Sequence, residues 1–178
     1  MKNNLHEGLN YKTIWKICRF KSEADRQAKV LYSDEEALNA FGAKQSSEFE
    51  QNLLLNEGIN ELWKLVCGTG GTQFDNAHAY LGVGDSNTAP DDATLTGLQA
   101  TTNKLYKAMD ETYPTYGTAQ KATWRATFGA DDANFSWNEF TVANGNSNDA
   151  KNLNRKVSAQ GTKASGQTWE LTLEITLS

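Results

Sequence analysis

The last stretch of the chain alternates without a break: Trp169, Leu171, Leu173, Ile175 and Leu177 fall on one side of an extended backbone. Thr168, Glu170, Thr172, Glu174 and Thr176 fall on the other. One apolar and one polar face predict an antiparallel strand with a solvated side, because strands of parallel sheets are usually apolar on both. "YKTIWKICRF", Tyr11 to Phe20, repeats the pattern, with Tyr11, Thr13, Trp15 and Ile17 opposite Lys12 and Lys16. Shorter alternations occur at Ala79, Leu81 and Val83, from Thr123 to Phe128, and at Phe135 and Trp137, with Phe140 and Val142 assigned to the opposite face. The runs are separated by "GADDAN", "ANGNSNDAK" and "GTKASGQ", which are rich in turn formers. Short strands at such spacing predict a mainly β chain whose body is an antiparallel, jelly-roll-like β-sandwich.

Two segments carry a helical period instead. Ser33 stands three residues before Glu36 in capping-box spacing, Ala37, Leu38 and Phe41 follow at helical offsets, and Gly42 stops the run. A further turn is expected around Ala24 to Leu31. In "NLLLNEGINELWKLVCG", Leu55, Ile59, Leu62 and Val66 form a stripe, with Asn52 or Asn56 as the expected cap, Gly68 as the stop and Trp63 as a second apolar flank. This amphipathic helix is expected to pack on the body and to be held by tertiary contacts on more than one side, and Gly58 inside it, worth about 1 kcal/mol less than Ala, to mark a close approach. Residues 1–51 read as an N-terminal α/β portion, a strand and polar helical segment for docking or an insertion. Residues 52–178 read as the helix plus sandwich body, the whole forming one compact domain.

Composition narrows the function classes. With 178 residues, 38% hydrophobic and 22% charged, and with five Trp, seven Phe and six Tyr, the chain can bury a core without staples. A net charge of -5 and a pI near 5.1 argue against a nucleic-acid partner. No signal pattern or bilayer-length apolar run is present, so a soluble product made in the cytoplasm, with no membrane partner, is expected. Cys18 and Cys67, and His6 and His78, lie outside zinc spacings. The two cysteines are expected as buried free thiols.

Candidate chemistry is thin. The glycines of "CGTGGTQFDN" follow a helix and lead to a strand, the reverse of a dinucleotide fingerprint. In "LGVGDSNTAPDDATLTGL", Asp85, Asn87, Asp91 and Asp92 offer oxygen ligands. Ala89 stands where a calcium loop needs a third ligand and no Glu closes the loop, so the metal reading yields to a surface turn. Glu139, between Trp137 and Phe140, is the acid most open to desolvation, but it lacks a partner carboxylate and is expected to pair with Arg125 or Arg155, or to cap a turn. No catalytic residue and no cofactor are expected. Phe74, Tyr113 and Tyr116 suit either sugar stacking or a protein interface, the second being favoured.

The order "NLLLNEGINELWKLVCG", "AYLGVGDSNTAPDDATLTGLQ", "FGADDANFSWNEFTVANG", "LNRKV" and "WELTLEITLS" resembles a group of tailed-bacteriophage virion proteins over residues 52–178. The resemblance implies a structural protein of the particle, a head decoration or a head or tail component, and brings no catalytic residues. A capsid decoration protein is the expectation, binding the major capsid protein or its neighbours and itself, as a homo-oligomer with a trimer favoured. A tail, collar or fibre-attachment component and a host-glycan-binding module are the alternatives. The N-terminal strand and helices are then the docking side, with Trp15, Leu55, Trp63, Phe74, Tyr113 and Tyr116 as interface candidates.

Overall fold

The structure, a computed structural model, describes residues 11–68, 70–147 and 149–178. The two long alternating runs become neighbours: β1 (Tyr11–Phe20) pairs antiparallel with β10 (Thr168–Leu177) through the full register from Tyr11–Leu177 to Phe20–Thr168. β10 in turn pairs with β7 (Lys121–Phe128), which carries the edge strand β6 (Thr115–Thr118). On the other side, β2 (Ser46–Glu50) pairs with β1 and completes a five-stranded sheet of order β2-β1-β10-β7-β6. The second sheet has the order β3-β9-β8-β4-β5. Its members are β3 (Leu53–Leu54), β4 (Tyr80–Gly84), β5 (Lys104–Ala108), β8 (Glu139–Ala143) and β9 (Asn154–Val157). The molecule is mainly β, an antiparallel sandwich, and its hairpins β4–β5, β6–β7 and β8–β9 each stay within one sheet.

The core lies between the sheets because alternation sends one face of each strand there. Trp15, Ile17, Trp124, Ala126, Phe128, Trp169, Leu171 and Leu173 from the first sheet meet Leu81, Val83, Phe140 and Val142 from the second. Trp137 stands edge-on to Phe128 and Trp169, with ring centroids 4.7 and 4.9 Å away. The opposite face of the first sheet is a ladder of charges in water, in which Glu174 lies 3.3 Å from Lys16 and 3.5 Å from Lys121.

Local signals explain the helices. Ser33 and Glu36 close a reciprocal capping box on α2 (Asp34–Phe41), and Gly42 ends it at φ 64°. α1 (Glu23–Gln27) is one short turn capped by Ser22. α3 (Asn56–Cys67) departs from expectation at its start: Leu55 is the N-cap, with no side-chain bond. Asn52 instead accepts hydrogen bonds from Tyr11 and Thr13 at 2.7 and 2.9 Å.

One expectation is corrected here. Phe135 and Trp137 are not in a strand, and Trp137 shares the core with Phe140 and Val142 in place of facing away from them. The phase breaks because Trp137 and Asn138 send their N–H groups to Gly161 and Gly84 before β8 begins. β1 runs inside the first sheet between β2 and β10, with Lys12 and Lys16 on its solvated face.

The centre of the second sheet is buried on both faces: all five residues of β8 are buried, as are the last four of β4. A third layer, made of α3 and the segment 85–103, covers it.

Candidate functional site

The third layer begins from the glycines of "LGVG". Leu81 and Val83 point into the core, which leaves Gly82 and Gly84 on the covered face. A Cβ on Gly82 would lie 2.7 Å from the Thr141 methyl and 2.9 Å from the Tyr106 ring. One on Gly84 would lie 2.5 Å from a Glu139 carboxylate oxygen. Burial pushes the Tyr106 phenol up to about 12. The glycines make room for a side-chain layer, and no phosphate cradle is formed by them.

Glu139 and Arg155 are both fully buried there. The Glu139 carboxylate accepts from the Ala100 and Gln99 backbone N–H groups at 2.7 and 2.9 Å and from Arg155 Nε at 2.9 Å, while Arg155 Nη2 stands 2.8 Å from the same oxygen. Arg155 Nη1 donates to the Thr88 carbonyl at 2.9 Å. One ion pair therefore pins both arms of the 85–103 segment. Of the two arginines expected for Glu139, Arg155 takes the role, and Arg125 binds Asp110 at 2.8 Å.

The oxygen-ligand candidates do not converge. Asp85 accepts from Asn103 at 2.7 Å, Asp92 accepts from the Thr94 N–H at 2.8 Å, and Asn87 and Asp91 are exposed. Among the described residues no three His, Cys, Asp or Glu side chains gather as a metal site, and no helix is long and apolar enough to cross a membrane. His78 is held by Asp75, with Nδ1 2.7 Å from the carboxylate.

α3 is seated by a mixed side, Gly58 and Glu61 with Leu65 packed on the core beside them. Gly58 and Glu61 are its buried residues. A Cβ on Gly58 would overlap the Leu153 backbone and lie 2.6 Å from the Asn152 carbonyl oxygen. Glu57 accepts from the Asn152 N–H at 3.0 Å. Glu61 accepts from the Thr72 N–H at 2.7 Å and from Asn144 at 3.2 Å, and the Thr72 bond holds its carboxyl below the usual range. The expected hold on more than one side is thereby corrected: Leu62, Trp63 and Val66 are 37%, 61% and 74% exposed, and Ile59 is half-buried. A periodic apolar face fixes a direction on the helix, and the closer fit of Gly58 decides which side meets the sheet.

The interface candidates divide accordingly. Trp15, Leu55 and Phe74 are corrected to core residues, 0%, 0% and 9% exposed, because alternation turns Trp15 inward and Leu55 lies under the start of α3. Phe74 lends its carbonyl to Trp124 Nε1 at 2.9 Å. Tyr113 is half-buried, with the Arg125 guanidinium 4.4 Å over its ring. Trp63 and Tyr116 are exposed, on α3 and on the edge strand β6, so no single patch unites the candidates. Leu38, expected in the helical pattern of α2 with Ala37 and Phe41, is 62% exposed while those two are buried, and Leu31, ahead of α2, is exposed as well. The thiols are free, but the expectation of two buried ones is corrected: Cys67 is exposed at the end of α3 and Cys18 is half-buried.

Lys163 was also unforeseen. It is almost fully buried and donates to the Gly129 carbonyl at 2.6 Å and to Asn134 Oδ1 at 2.8 Å, and burial lowers its ammonium to about 8. It pins the "GADDAN" turn.

No protein-family model matches the chain, and no curated protein or solved structure shows significant similarity to it.

Proposed function

We propose that the chain is a structural subunit of a tailed-phage particle, a decoration protein that binds the outside of the capsid and stiffens it. The observation that carries this reading is the seating of α3, which turns Gly58, Glu61 and Leu65 to the body and leaves Leu62, Trp63 and Val66 exposed. A rigid sandwich presenting such a stripe suits association. The runs that resemble phage virion proteins add support of a physical kind: Gly84 from "LGVG", Glu139 from "NFSWNEF" and Arg155 from "LNRKV" meet at one buried ion pair. The resemblance then follows a structural clamp, in keeping with a particle subunit. Its partners are the major capsid protein or neighbouring virion proteins and further copies of itself, each modest contact being repeated over the shell.

The test mixes the purified chain with expanded heads of the phage that encodes it. Many copies bound per head and a raised disruption temperature are expected, and failure to bind removes the reading. A copy number of a dozen or fewer would instead indicate a tail, collar or fibre-attachment part. The glycan-binding alternative rests on exposed Tyr116, and a glycan array without hits disposes of it.

A further inference from the structure

We draw no further inference here: the strongest candidate, the exposed face of α3 at Leu62, Trp63 and Val66, carries nothing because nothing in the structure shows what covers it.

Discussion

Replacing Gly58 by Ala sets two known effects against each other. In a solvated helix, Ala is worth about 1 kcal/mol over Gly, so the substitution should stabilise the chain if α3 only rests on the surface. Against the sheet, the added Cβ overlaps the Leu153 backbone and lies 2.6 Å from the Asn152 oxygen and 2.8 Å from the Leu153 oxygen. Backbone in a paired strand region yields little, so α3 must lift. Overpacking of this kind costs ~1–3 kcal/mol, and lifting strains the bonds from Asn152 to Glu57 and from Thr72 to Glu61, worth ~1.5–3 kcal/mol each when made to a charged group. The net expectation is a loss of about 2–4 kcal/mol, which at ~2–4 °C per kcal/mol for a chain of this size lowers the melting temperature by roughly 5–15 °C. Thermal unfolding followed by circular dichroism measures it. A variant as stable as the wild type, or more so, would refute the seating of α3 by its glycine side.

Other outcomes follow from buried groups. Glu139→Gln leaves Arg155 charged and without its carboxylate in a dry site, so denaturant unfolding should show a loss of about 3–5 kcal/mol, and amide exchange should speed up across residues 85–103; unchanged exchange there would contradict the clamp. Lys163 loses its proton near pH 8 when folded and near its ordinary value of 10.5 when unfolded, so in that window the unfolded chain holds the extra proton and stability rises with pH. Against Lys163→Met, which keeps the other titrating groups, the wild type should gain stability between pH 8 and 10, and parallel pH profiles would contradict the assignment. Cys67 should react with a thiol reagent in the native state well ahead of Cys18, whose thiol burial pushes up, and Cys67→Ser should remove the fast phase.

The long strands were legible because each has one face in water: nothing competes with the alternation of Tyr11–Phe20 or Thr168–Leu177. The α2 caps and the close approach at Gly58 were legible for local reasons, a reciprocal side-chain bond and a missing Cβ. β8 was harder. Glu139 and Thr141 mimic a solvated face, yet both are buried, Glu139 under the 85–103 segment and Thr141 against Asn152 and Asn154, and only the arginine partner of Glu139 was legible. β3, β5, β6 and β9 are too short, or too polar at an edge, for alternation to stand out. The orientation of α3 was not legible from its stripe, because an apolar stripe is the usual inward face. The contrary signal was Gly58 beside Glu57 and Glu61, a surface small enough to approach backbone and polar enough to bind it.

The proposed role places this chain in a phage particle, where it acts by repeated association. Quantitative mass spectrometry of purified particles, counting this chain against the major capsid subunit, tests it most directly. Hundreds of copies per particle are predicted; particles that lack the chain would contradict the claim.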